Sequence, residues 1–258
     1  MTETTKRWLL SLTAAASLAF GGTAFAQDKP ATATPKPAAK APAPKESATE
    51  PKTRPGNWMQ RHEKYLQEVK EHAGKVDVLF VGDSITDGWH GGGKKVWAET
   101  WEPMKAFNIG IGGDRTQHVI WRLQNGEVAG IAPKVTMLMI GTNNLASNTN
   151  EEIVDGIKGC VKEIQKQLPS TKVLLLGIFP RDEKPNTERR TRIKAINEQI
   201  AKLDDGGKTV RYLDIGDKFL EPDGTLPKSI MPDALHPNKK GYEIWTEAVK
   251  GPITEMLK

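Results

Sequence analysis

From residue 58 onward the apolar positions recur with two different periods. At 58–72, 117–123, 151–167, 187–203 and 239–256 they stand three or four apart among charged residues, which predicts amphipathic helices. Shorter apolar runs at 76–81, 106–109, 134–140, 172–179 and 209–215 predict five strands. In Val173-Leu174-Leu175-Leu176 both faces of the strand are apolar, as required when helices cover a sheet on each side. Strands alternating with helices therefore predict an α/β domain built on a parallel sheet. Ligands in such open sheets bind beyond the carboxyl ends of the strands, near the point where strand order reverses. Candidate chemistry is sought in the loops that follow the strands.

The chain ahead of residue 58 reads differently. Lys6-Arg7, an apolar run from Trp8 to Phe20 and Ala24-Phe25-Ala26 have the charged, hydrophobic and small-residue order of a signal peptide over 1–26. The apolar run is shorter than the about 20 residues that span a bilayer, so no stable membrane insertion is expected. Export to a periplasm or the extracellular space is. Residues 27–57 are rich in Pro, Ala, Lys and Thr and poor in large apolar side chains, which predicts a disordered linker. Residues 58–258 suffice for one domain.

Charge narrows the function. The whole chain carries a formal +5, but residues 27–57 hold six basic and three acidic residues, and 58–258 keep a net charge of only +1. Nucleic-acid binding loses its main electrostatic argument. The single cysteine, Cys160, allows neither an intramolecular disulfide nor a cysteine metal cluster. No three clustered ligands can be assembled for a metal, and no cofactor is expected. Two nucleotide motifs fail by one position: G-x-G-x-x-G from Gly110 meets Arg115, and G-x-x-x-x-G-K from Gly88 meets Lys95 where Ser or Thr is needed.

Four other signals follow strands or precede the last helix. In Gly82-Asp83-Ser84-Ile85-Thr86 a serine at a strand-to-helix turn serves either as a helix N-cap or as a nucleophile facing helix-start N–H groups. Gly110-Ile111-Gly112-Gly113 makes a tight turn or exposes backbone donors to a ligand. Asn143, in Gly141-Thr142-Asn143-Asn144, is a turn residue or a neutral oxyanion donor. Asp233-Ala234-Leu235-His236 stabilises a loop, or supplies the base that activates a serine and the carboxylate that orients that base. Of the remaining histidines, His62 and His72 are expected on the surface of the first helix. Trp89, Trp97 and Trp101 are expected to fill core rather than stack on sugars.

Taken in order, Gly82 to Ile85, Gly113, Asn143 and Asp233 to His236 resemble the four blocks of the SGNH, or GDSL-type, hydrolases, with Ile85 where the motif has Leu. Asn108 to Val128, Gly141 to Asn144, and Pro180-Arg181 through Lys184-Pro185-Asn186 are similar in particular to the catalytic subunits of platelet-activating-factor acetylhydrolase and their bacterial relatives. The resemblance implies a three-layer α/β/α sandwich with a five-stranded parallel sheet of flavodoxin-like order. It implies Ser84 as nucleophile, His236 as general base and acid, and Asp233 orienting His236. The oxyanion donors would be the backbone N–H groups of Ser84 and Gly113 and the Asn143 amide. From their positions, Ile85 and Leu235 are expected to border the acyl group of the substrate. With the expected leader, the chain reads as an exported serine esterase cleaving short acyl esters, with carbohydrate O-acetyl groups as first substrate and lysophospholipid or platelet-activating-factor-like lipid as second. A homodimer is open, and a catalytically silent envelope-binding module is the alternative from another class.

Overall fold

The computed structural model describes residues 45–258. The expected signal peptide and the linker up to residue 44 lie outside the described residues. In chain order the elements are α1 (Trp58–Glu71), β1 (Val78–Gly82), α2 (Ser84–Asp87), the helical turn α3 (Lys94–Val96), β2 (Ala106–Asn108), α4 (Thr116–Gln124), β3 (Val135–Met139), α5 (Asn150–Gln167), β4 (Lys172–Leu176), α6 (Glu188–Ile200), β5 (Val210–Leu213) and α7 (Lys239–Met256). All five strands are parallel and lie in the order β2-β1-β3-β4-β5, with Val78 of β1 level with Ala106 and Val135 on its two sides. That is the flavodoxin-like order.

Alternation along the strands builds two cores. Leu79, Val81, Leu138, Val173 and Leu175 point toward α1, α4, α5 and α6, while Val78, Phe80, Met137, Leu174 and Leu176 point toward α7 and the segment 85–104. The result is a three-layer α/β/α sandwich. Trp89, Trp97 and Trp101 are buried in the second core, packed on Phe80. Local chemistry sets the helix starts. Thr149 Oγ1 accepts from the Glu152 N–H at 3.3 Å and Glu152 Oε2 accepts from the Thr149 N–H at 2.9 Å, a reciprocal cap that opens α5.

Three expectations are corrected. The fourth strand ends at Leu176 rather than 179, because Asn197 of α6 supplies the polar partners of Ile178: its Oδ1 accepts the Ile178 N–H at 2.9 Å and its Nδ2 donates to the Ile178 carbonyl at 3.1 Å. His62 is buried rather than exposed, with Nδ1 2.7 Å from Glu127 Oε1. Residues 45–57, expected to belong to the disordered linker, lie against the domain. Ala48 is buried, and its carbonyl accepts from Thr116 Oγ1 at 2.6 Å. Among the described residues, no helix is long and apolar enough to cross a membrane, and no cluster of three His, Cys, Asp or Glu could hold a metal.

Candidate active site

The sheet places β1 between β2 and β3, so the loops after these three strands converge at its carboxyl edge. Asp83, the residue after β1, caps α2: its Oδ1 accepts the Ile85 N–H at 3.0 Å. The cap therefore falls to Asp83, not Ser84, and the serine hydroxyl is left for another partner. That partner is His236, whose Nε2 lies 2.9 Å from Ser84 Oγ across 152 residues of chain.

Behind His236 stands Asp233. Its Oδ2 is 2.6 Å from His236 Nδ1, and its Oδ1 accepts the backbone N–H groups of His236 at 2.8 Å and Leu235 at 3.1 Å. Partial burial works to raise the Asp233 pKa, but the hydrogen bonds from the His236 side chain and these backbone groups outweigh it and hold the carboxylate below its ordinary value. An ionised Asp233 keeps the proton on Nδ1, so Nε2 is the acceptor that faces the serine. The order Ser84–His236–Asp233 is that of a serine hydrolase triad.

After β2, Gly113 holds φ +78°, a left-handed conformation that aims its peptide away from the regular path. After β3, Asn143 donates one amide hydrogen, from Nδ2, to the Asp114 carbonyl at 2.9 Å. The second amide hydrogen is thereby given a fixed direction. Ser84, Gly113 and Asn143 are all half-buried, at the surface end of the sheet.

The remaining calls separate. Ile85, expected to border the acyl group, is only 1% exposed and belongs to the core beneath the site, so it cannot touch substrate without unpacking. Its carbonyl instead accepts the Tyr242 hydroxyl at 2.7 Å, which ties α7 to the residue beside Ser84. Leu235 is half-buried on the same core and remains at the surface. A cavity of about 770 Å³ lies beside α6, lined by Pro180, Arg190, Lys194, Tyr212 and Asp217 among others, and none of the triad residues lines it.

Several site neighbours left little trace in the sequence. Arg181 Nη1 donates to Thr142 Oγ1 at 3.1 Å and to its carbonyl at 3.3 Å, next to Asn143. Arg122 is fully buried and bonds Asp114 Oδ2 through Nε at 2.8 Å, the Ile109 carbonyl through Nη1 at 2.8 Å, and Glu127. The one signal that could have marked this buried ion pair is the run Trp121-Arg122-Leu123, a cation inside an apolar helix face.

The family model of the GDSL-like lipase/acylhydrolases matches residues 80–244. The platelet-activating factor acetylhydrolase IB subunit alpha1 of Rattus norvegicus is 36% identical over 202 residues, which are 78% of this chain and 84% of the relative. The alpha2 subunit of Gallus gallus is 40% identical over 182 residues, 69% of this chain and 76% of its own. Among solved structures, the acetyl xylan esterase AlAXEase superposes with a TM-score of 0.57 at 21% identity, covering 68% of this chain and 98% of that one. An acetylxylan esterase from Geobacillus stearothermophilus gives 0.55 at 17% identity, covering 68% and 93%. These two likenesses speak to the fold.

Proposed function

Since the chain belongs to the GDSL-like lipase/acylhydrolase family and is a carboxylic ester hydrolase, we propose that it is an exported serine esterase that removes short acyl groups, acetyl first, from carbohydrate. The observation that carries the mechanism is the continuous chain of hydrogen-bond distances, 2.9 Å from Ser84 Oγ to His236 Nε2 and 2.6 Å from His236 Nδ1 to Asp233 Oδ2. Ser84 Oγ attacks the ester carbonyl while Nε2 takes its proton. The oxyanion is held by the N–H groups of Ser84 and Gly113 and by Asn143 Nδ2. The imidazolium returns the proton to the departing alcohol, which leaves acyl-Ser84. Water, deprotonated by His236, then attacks that ester, and the acid is released with the serine restored.

Three considerations support the substrate class. The relatives at 35–40% identity are named acetylhydrolases, which favours an acetyl group. The side chains of His236 and Asp233 are 42% and 57% exposed, so the leaving-group side is open to a bulky alcohol. The expected leader sends the protein to a compartment where acetylated polysaccharide is encountered. A lipid alcohol is the second reading, favoured by the same relatives, which are named for platelet-activating factor. The test is a comparison of the purified chain on acetylated xylan, on lysophospholipid and on a platelet-activating-factor analogue. A higher kcat/KM for release of acetate from xylan than for hydrolysis of either lipid supports the carbohydrate reading; the reverse order overturns it.

A further inference from the structure

Arg54 lies four residues before α1, in the stretch expected to be spacer. Its Nη1 donates to the Gly112 carbonyl at 2.8 Å and to Asp114 Oδ1 at 2.9 Å, bridging across Gly113. The guanidinium packs so closely on this turn that a Cβ added to Gly113 would stand 2.7 Å from Nη2. On the other side the Gly112 N–H donates to Asp87 Oδ2 at 3.2 Å, and Asp87 is in turn paired with Arg61 at 2.8 Å. The turn that carries the Gly113 N–H is thus gripped from both sides. Its next residue, Asp114, offers the carbonyl that orients Asn143.

The arm that delivers Arg54 is itself fastened. Asn148 Nδ2 donates to the Glu46 carbonyl at 2.9 Å, Thr116 Oγ1 to the Ala48 carbonyl at 2.6 Å, and the Lys52 N–H to the Gln117 carbonyl at 3.3 Å. These bonds run to α4 and to the loop after β3, beside the elements that bring Gly113 and Asn143 together.

We propose that Arg54 is a positioning residue of the oxyanion hole and that residues 45–54 form a strap that completes the active site. This rests on the assignment of Gly113 and Asn143 as oxyanion donors made above. Arg54 acts through the turn, not on the substrate. Both acceptors are held by one nitrogen, Nη1, whose two hydrogens are fixed in the guanidinium plane, whereas those of a lysine ammonium rotate on a flexible stem. Oxyanion stabilisation depends on donors fixed in advance, and a displacement of about 1 Å can cost up to about 100-fold in rate.

The experiment measures kcat and KM on nitrophenyl acetate for the full chain and for Arg54→Ala, Arg54→Lys, Asn143→Ala and the Arg54→Ala/Asn143→Ala pair. Arg54→Ala is expected to lower kcat by about 10- to 100-fold with KM changed by less than about threefold. Millimolar guanidinium should restore part of that kcat, and should do nothing for wild type or Asn143→Ala. Arg54→Lys should fall between wild type and Arg54→Ala, and the double variant should lose less than the product of the two single losses. If Arg54→Ala does not fold, Arg54→Gln is read for the same split between kcat and KM. An unchanged kcat in Arg54→Ala beside a reduced one in Asn143→Ala overturns the strap while leaving the oxyanion assignment standing. A raised KM at constant kcat makes Arg54 a substrate ligand instead and also overturns it. An unchanged kcat in Asn143→Ala overturns the assignment itself, and the strap with it.

Discussion

Asp182 donates its backbone N–H to the Ala234 carbonyl at 2.9 Å, and both residues hold left-handed φ angles, 67° and 56°. Ala234 sits between Asp233 and His236, so the loop that carries the base is pinned to the loop after β4 at a point where an L residue is strained. The same loop carries Arg181, which bonds Thr142 beside Asn143. One segment therefore braces the base on one flank and the oxyanion side on the other.

Ala234→Val, which puts a branched side chain at that φ, should destabilise the fold by about 1–2 kcal/mol and lower kcat as His236 shifts. Thermal unfolding and steady-state kinetics check it. Full activity at wild-type stability would mean that the loop adapts without cost.

Ser84→Ala should lower kcat by more than about 10³-fold with an unchanged unfolding temperature, because the half-buried hydroxyl is not the helix cap. Retained activity in a preparation free of other esterases would remove the serine from the mechanism.

For Asn143→Ala the expected loss is about 10²- to 10³-fold in kcat with KM nearly constant. Stopped-flow release of nitrophenol would place that loss in acylation, where the oxyanion first forms.

Asp83 yields a pH prediction. Its carboxyl is fully buried, Oδ2 has no hydrogen-bond partner among the described residues, and burial pushes its pKa up from 3.8 to about 7. A carboxyl with a raised pKa binds its proton more tightly in the folded state, so its contribution is fully present below about pH 4 and is lost as pH rises toward 7. Asp83→Asn keeps the Oδ1 acceptor and removes the titration. The unfolding temperature of wild type relative to Asp83→Asn should then fall between pH 4 and pH 7, and parallel profiles would mean that Asp83 is ionised throughout.

Acyl length forms the last test. Rates should drop from acetyl to butyryl to octanoyl esters, although each CH₂ would gain about 0.8 kcal/mol in an open apolar pocket. Since Ile85 lies in the core, Leu235 alone of the two expected wall residues is placed to enforce the limit, and Leu235→Ala should relax it. Faster cleavage of octanoyl esters by wild type would point to a lysophospholipase or thioesterase.

The parts of the molecule legible in the sequence were those with a period or a motif. Helix α1 starts at Trp58 and α7 spans 239–256 as their apolar spacing predicts, and Ser84 faces His236 as the motif implies. Segment 85–104 was not legible as helix, because glycines at 88 and 91–93 break any period and its short turns are held by burial of three tryptophans. The strap was invisible for a different reason. Its contacts run largely through backbone groups, the Glu46 and Ala48 carbonyls and the Lys52 N–H, with side-chain bonds from Lys45, Glu46 and Arg54, and its composition is that of a solvated spacer. The buried set of Arg122, Asp114 and Glu127 was missed because each residue type is ordinarily exposed and only the fold pairs them.

Among the described residues, the tryptophans fall into the two cores and give two separate optical signals. Trp89, Trp97, Trp101 and Trp245 share one core, with Trp89 5.1 Å from Trp245 and 5.9 Å from Trp97 between ring centroids, close enough for their near-ultraviolet transitions to couple. Trp58 and Trp121 form a pair 5.3 Å apart across the sheet from them, and Trp58 Nε1 donates at 2.7 Å to the same Asp114 oxygen that Arg54 grips. Circular dichroism from the first group would follow the packing under α7, while a red shift in Trp58 emission would report release of the turn that carries Gly113.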